Sequence, residues 1–262
     1  MRRFNRLSAI ALSSTMLATF GIAPAYAQDA QAEEETYENE PIIVTATLRA
    51  MDVQDIPLAV TAVAPETLER QGVADIKNLA SISPSFNIQS SQTETQGTSI
   101  KIRGVGTTGN NTGLESSVGV FIDGVYQSRP GVALGDLVDL ERLEILRGPQ
   151  GTLFGRNTSA GALNITTRRP SLSEVEGFAN ASYGNYDFMN VQAGVSVPVA
   201  QDVAAVRLSG TWRKRDGFLK SATGATSNDR DRYMLRGQLY VEPNSDVSIR
   251  ILADYSKVDE KC

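Results

Sequence analysis

The hydrophobic rhythm of this 262-residue chain changes at Pro170. Beyond it, runs of residues alternate apolar and polar with period two, as strands do when their two faces meet different surroundings. One run sets Val206, Leu208, Gly210 and Trp212 against Arg207, Ser209, Thr211 and Arg213. The next sets Tyr233, Leu235, Gly237, Leu239 and Val241 against Arg232, Met234, Arg236, Gln238 and Tyr240. The last sets Val247, Ile249, Ile251, Ala253 and Tyr255 against Ser248, Arg250, Leu252 and Asp254. Met189, Val191, Ala193, Val195 and Val197 repeat the pattern, and Ala179, Ala181 and Tyr183 do so weakly, giving five runs in all. Alternation alone suits a soluble sandwich as well as a membrane barrel. Two features favour the barrel. The runs approach the roughly ten residues that a tilted transmembrane strand needs. A long polar loop, Asp216–Asp229, also stands between short turns near Ala200–Asp202 and Glu242–Asp246, and barrels keep long loops on one rim and short turns on the other.

From about Leu48 to Arg169 the pattern is mixed. Strands are predicted over Ile56–Val63, Ser99–Arg103, Val118–Asp123, Arg142–Leu146 and Ala162–Thr167. Pro65 opens a short helix through Arg70, which Gly72 ends. A second helix is expected over Val73–Ala80, with Val73, Ile76, Leu79 and Ala80 on one face. These elements make a small α+β domain of about 120 residues, large enough for one core.

The N-terminus reads as an export signal over residues 1–27. Arg2, Arg3 and Arg6 precede the apolar stretch Leu7–Ile22, and Ala25-Tyr26-Ala27 offers a small-x-small cleavage site. Residues 28–40 carry five glutamates and almost no aliphatic side chains, so a flexible acidic linker is expected. Cleavage removes three of the 25 basic residues and none of the 30 acidic ones, leaving a net charge of −8. Nucleic acid is therefore not an expected partner. No later stretch is long and apolar enough for a spanning helix, so any membrane insertion must use β-structure. The chain has no histidine and a single cysteine, Cys262, which excludes His-based triads, His metal sites and Cys-x-x-Cys redox sites within it.

Gly104-Val-Gly106-Thr-Thr-Gly109 has the spacing of a dinucleotide loop, but that loop must open a helix. Here Asn110-Asn111-Thr112-Gly113 follows, so these are read as turn glycines. Glu141 and Glu144 beside Arg142 and Arg147 raise the possibility of paired catalytic carboxylates. In a strand, residues 141 and 144 point to opposite faces and cannot flank one bond, so structural ion pairing is expected. Ile42-Ile43-Val44-Thr45-Ala46, tethered by the acidic linker, is the kind of short β-branched segment that joins a partner's sheet edge and detaches again.

Four stretches carry a resemblance. They are EPIIVTAT (Glu40–Thr47), SIKIRG (Ser99–Gly104), VFIDGVY (Val120–Tyr126) and LERLEILRGPQGTLFGRNTSAGALNITTR (Leu140–Arg168). In order and in content they resemble the plug domain of TonB-dependent outer-membrane receptors, from about Glu40 to the end of the chain. The resemblance implies an α+β plug domain over 48–170, followed over 171–262 by an incomplete antiparallel transmembrane β-barrel of about five strands. Residues 41–47 are implied to be the TonB box, with Ile42, Ile43, Val44, Thr45 and Ala46 contacting TonB, itself energised through ExbB–ExbD. Pro41 departs from the family pattern. Lacking an N–H, it must begin the strand or sit on its outer edge.

The resemblance further implies that Arg103, Glu141, Glu144, Arg147 and Arg156 form a charge cluster holding the plug to the barrel wall. Ligand is expected on two apical loops, at Gln92, Thr93, Thr95, Gln96, Thr108, Asn110, Asn111 and Thr112. The implied function is import of a scarce ligand through the cell outer membrane, by default a ferric siderophore, with no enzymatic step and no cofactor. Absence of histidine disfavours direct haem capture in this portion; vitamin B12, oligosaccharides and aromatic metabolites stay open. A plugged barrel needs about 22 strands, so the chain is expected to be the N-terminal part of a receptor. Only 13 residues, 28–40, precede the box, so no N-terminal signalling domain is expected. The alternative is a short periplasmic plug-like binding module, whose mark would be a polar outer face on the five strands.

Overall fold

The computed structural model describes residues 43–45, 51–73, 75–90, 98–107, 114–131, 137–222, 224 and 226–261. The chain enters through β1 (Ile43–Val44), which pairs antiparallel with β2 (Met51–Asp52). A 3-10 turn, Val53–Asp55, leads to β3 (Ala59–Val63), rich in the β-branched residues that suit a pleated surface. Helix α1 (Pro65–Arg70) follows, with Pro65 at its first position and Gly72, at φ +65°, beyond its end.

The second expected helix is shorter and tighter than predicted, a 3-10 helix over Ile76–Ser81. Asp75 starts it, its side chain accepting from the Lys77 N–H at 2.9 Å. With three residues per turn, Ile76 and Leu79 fall on one side, and both are buried. Next come β4 (Phe86–Ser90) and β5 (Thr98–Ile102), paired antiparallel. After β5, Arg103 and Gly104 turn the chain through φ 53° and 78°, and Ile102 and Val105 exchange backbone hydrogen bonds. The dinucleotide-like spacing therefore lies on a tight turn, and no helix opens among its described residues.

β6 (Val118–Ile122), β7 (Val125–Gln127), β8 (Leu140–Arg147), the short helix α2 (Gly151–Phe154) and β9 (Gly161–Thr167) complete the first domain. Its main sheet has the order β3-β8-β9-β6-β7, with β6 and β9 parallel and the other pairs antiparallel. One face buries Leu143, Ile145, Leu163, Ile165 and Val120 with Ile76, Leu79, Phe86 and Ile100. The other gathers Val44, Ile56, Phe121, Leu146 and Ala162. Both faces of β8 and β9 are thus covered, as befits strands at the centre of a sheet packed on two sides.

The five later runs become β10 (Glu176–Gly184), β11 (Phe188–Ala200), β12 (Ala204–Arg215), β15 (Arg230–Asn244) and β16 (Val247–Val258). Within the long loop sit two short strands, β13 (Leu219–Lys220) and β14 (Thr226–Ser227), paired with each other. The five long strands form an antiparallel sheet in sequence order, hereafter the wall. Its faces are inverted relative to a soluble sheet. Leu208, Leu235, Ile249 and Ile251 are 59, 51, 51 and 56% exposed, whereas Ser196, Arg207, Ser209, Thr211, Arg213, Arg232, Arg236 and Gln238 are buried toward the first domain. Water would drive the apolar face inward, so this arrangement is stable only where the outer face meets an apolar medium.

Candidate functional site: the box segment and its seat

The centre of β8 supplies the seat. A bulge lies between Leu140 and Arg142, after which Leu143 pairs with Ile165 and Glu144 with Asn164 on β9. Glu144 is fully buried, between Leu143 and Ile145 on β8. A carboxylate there is tolerable only if its oxygens are matched. They are matched largely by Thr45. The Thr45 backbone N–H donates to Glu144 Oε1 at 2.6 Å, and the Thr45 hydroxyl donates to the same oxygen at 3.2 Å. Asn164 Nδ2 donates to Glu144 Oε2 at 2.9 Å. The Arg142 guanidinium lies 3.2 Å from Oε1 and donates from its other arm to Thr45 Oγ1 at 3.3 Å.

Beside this polar clasp Val44 is fully buried with Phe121 and Leu146, while Ile43 on the other face of β1 is 45% exposed. A two-residue strand paired with a two-residue partner contributes little by itself. The segment is therefore held mainly by Val44 in its apolar hole and Thr45 on Glu144. Of the five box residues named from the sequence, Ile43, Val44 and Thr45 are placed in this way, and Ile42 and Ala46 lie outside the described residues.

The charge cluster is distributed differently from the expectation. Glu144 seats Thr45, and Glu141 stays at the surface, bonded to Arg142 at 2.6 Å. Arg147 donates to the carbonyls of Ala59 and Val60 on β3. Arg156 meets Glu115 at 3.4 Å with both side chains largely exposed. Arg103 contributes a left-handed backbone position whose N–H donates to the Ser85 carbonyl at 2.7 Å. All these described partners lie within the first domain.

The described ion pairs to the wall run the other way, from carboxylates of the first domain to arginines of the strands. Asp139 accepts two hydrogen bonds from Arg207, each 2.6 Å, with both side chains 1% exposed. Asp123 meets Arg250 at 3.1 Å, and Arg250 also donates to Thr167 Oγ1 at 2.8 Å. Asp75 meets Arg230 at 3.2 Å. The sequence carried the signal, because Arg207 and Arg250 occupy polar positions of the period-two pattern. Their partners are isolated aspartates, two of them (Asp123 and Asp139) in left-handed turns at φ 49° and 54°.

The eight apical-loop residues, Gln92, Thr93, Thr95, Gln96, Thr108, Asn110, Asn111 and Thr112, lie outside the described residues. The chain beside both loops is cross-tied. Ser99 Oγ donates to the Thr107 carbonyl at 2.5 Å, and the Thr107 and Ser117 hydroxyls are 2.7 Å apart. Among the described residues no group of three or more His, Cys, Asp or Glu side chains is placed to hold a metal ion.

Residues 52–162, the span that contains β8, the seat and the wall-facing aspartates, match the family model described as TonB-dependent Receptor Plug Domain. Over that span the chain carries a plug domain of the TonB-dependent receptor kind. The pesticin receptor of Yersinia pestis is 30% identical over 227 residues, which are 85% of this chain and 31% of that protein. The iron-regulated outer membrane virulence protein of Vibrio cholerae is 32% identical over 181 residues, 64% of this chain and 25% of its own. The chain thus spans between a quarter and a third of the length of these curated relatives. Among solved structures, the ferric yersiniabactin uptake receptor FyuA from Yersinia pestis superposes with a TM-score of 0.69 at 24% identity, covering 76% of this chain and 31% of that one. The pyoverdine outer membrane receptor FpvA from Pseudomonas aeruginosa gives 0.66 at 19% identity, covering 82% and 30%. At these identities the structural likeness carries the fold: a plug followed by wall strands.

Proposed function

We propose that this chain is the plug and first wall strands of an outer-membrane receptor that imports a ferric siderophore, a transporter that breaks no bond in its cargo. The observation that carries the reading is the inverted wall, apolar outward and polar toward the plug, together with the plug-domain match. The names of the relatives, an iron-regulated outer membrane protein and receptors for yersiniabactin and pyoverdine, support iron chelates as cargo. In this reading residues 1–27 direct export, 28–40 form the linker, and Ile42–Ala46 pairs with TonB by strand addition, energised through ExbB–ExbD. Glu144 then holds the segment through Thr45 until ligand arrives on the outer side. The apolar outer face counts against the periplasmic-module alternative.

The test is iron-limited growth of cells in which the receptor carrying this chain is the only route for a ferric siderophore. Uptake is expected to require TonB and to vanish when Val44→Pro removes a strand N–H from the box segment. Uptake that persists without TonB, or with Val44→Pro present in the membrane at normal amounts, overturns the reading.

A further inference from the structure

Facing the plug side of the wall, at the rim that carries the long loop, two pairs of arginines oppose each other directly. Arg213 is in register with Arg232, and Arg215 with Arg230. Like charges directly across a strand pair are unfavourable. The Arg213–Arg232 pair is engaged by its neighbours, Arg232 gripping Glu260 through two hydrogen bonds of 2.5 Å and Arg213 bonding Asn190. The Arg215–Arg230 pair is matched less well. Arg215 donates to the carbonyl and side-chain oxygen of Asn228, both neutral, and its Nε is buried with no hydrogen-bond partner among the described residues. Asp229 and Glu260 lie near enough to act on Arg215, but Asp229 accepts from the Lys261 N–H and Glu260 is held by Arg232. Among the described residues Arg230 meets the carboxylate of Asp75 on the plug, at 3.2 Å.

Aromatic rings stand beside this pair on the open side. The Arg215 guanidinium carbon lies 4.8 Å from the centre of the Phe218 ring, and Phe218 packs on Tyr186 at 5.6 Å. Phe218 is 40% and Tyr186 59% exposed, and Leu219 beside Phe218 is exposed as well, at 53%. The Asp216 N–H donates to the Tyr186 carbonyl at 2.8 Å and locks the two turns together. A continuous path of contacts therefore runs from exposed rings through two arginines to the plug.

We infer that Arg215 and Arg230, with the rings of Phe218 and Tyr186, form a rim site for an anionic, ring-bearing iron chelate. The inference rests on the receptor reading above and narrows its cargo. Ring faces accept a flat chelator arm by stacking, and the guanidinium pair meets the negative charge that an aromatic oxygen-donor chelate keeps around its iron. An anion drawn to Arg230 shares it with Asp75, which starts the 3-10 helix, so occupancy of the rim reaches the plug through one side chain.

Ferric tris-catecholate, a trianion with three rings, and ferric tris-acetohydroxamate, neutral and ringless, separate these requirements. Their binding is measured by fluorescence quenching on receptor purified from outer membranes in detergent. The catecholate complex is expected to bind at least about tenfold more tightly, and Arg215→Gln and Phe218→Leu each to weaken it about three- to tenfold without changing acetohydroxamate binding. Phe218 is in a surface loop, so its leucine variant keeps the test open if the arginine variant fails to assemble. Equal affinity for the two complexes, no binding of either, or variants that bind catecholate as wild type does, overturns the rim site. If TonB-dependent growth on a ferric siderophore persists in that case, the receptor reading stands; if no such growth exists, both fall.

Discussion

Thr45 and Glu144 are 99 positions apart in the chain, yet the Thr45 N–H lies 2.6 Å from a carboxylate oxygen that solvent does not reach. The bond is directional and charge-assisted, and such bonds contribute about 1.5–3 kcal/mol. It fastens the box segment to the centre of the plug sheet, where Arg142 and Asn164 also donate to the Thr45 hydroxyl. Glu144→Gln keeps the shape and removes the charge, leaving Arg142 with Glu141 alone. The variant is expected to free the segment by about 1.5 kcal/mol, roughly a tenfold shift. The measurement is maleimide labelling of Ile43→Cys in a Cys262→Ser background, without ligand. Labelling should accelerate about tenfold with Glu144→Gln and stay unchanged with Glu141→Gln, whose side chain does not touch the segment. Equal rates in the two variants remove Glu144 from the seat.

The Asp139–Arg207 pair is the most enclosed of the described ion pairs between plug and wall. Removing one member of a buried ion pair strands the other and costs about 3–5 kcal/mol. Asp139→Asn should therefore loosen the plug markedly, and Arg207→Gln added to it should restore part of the loss. Exposed Arg156→Gln, by contrast, should change nothing measurable. Proteolysis of the plug in the assembled receptor across a urea series reads all three. Strict additivity in the double variant is the result that dissolves the pair.

Gly161 begins β9 at φ +149°, where a Cβ would run into the Leu146 carbonyl and the Ile102 side chain. Both strain and collision follow from one methyl group, so Gly161→Ala is expected to destabilise the plug by about 2–4 kcal/mol. Gly151→Ala is the control, since a Cβ there meets nothing within 4 Å. The same proteolysis assay distinguishes them, and equal resistance of both variants contradicts the packing argument.

The wall was legible because period-two patterning over strands of nine to fifteen residues leaves little ambiguity. The interior of the plug was less so. β4, β7 and the helix Gly151–Phe154 were not anticipated, since elements of three to five residues carry almost no period. Residues 76–81 have the apolar spacing of either helix type, and the observed 3-10 helix is capped by Asp75. Glu144 was singled out for its charge but given the wall as its expected partner. Burial decided otherwise, because a carboxylate at the centre of a sheet covered on both sides must bond whatever polar chain passes over it. That chain is Thr45.

The outer face of the wall makes the sharpest separation between a membrane receptor and a periplasmic module. Leu208 lies at the middle of β12 and is 59% exposed, with its neighbours Arg207 and Ser209 buried on the inner side. If that face meets lipid, Leu208→Arg places a charge near the bilayer midplane and costs about 2–4 kcal/mol, whereas Leu208→Met costs almost nothing. In water the ranking disappears, because an exposed arginine is at least as soluble as an exposed methionine. Assembly of the receptor into lipid vesicles, followed by its resistance to denaturation in cold detergent, should fall sharply for arginine and not for methionine. Equal assembly of the two variants removes lipid from the outer face, and the periplasmic alternative would then account better for the sheet.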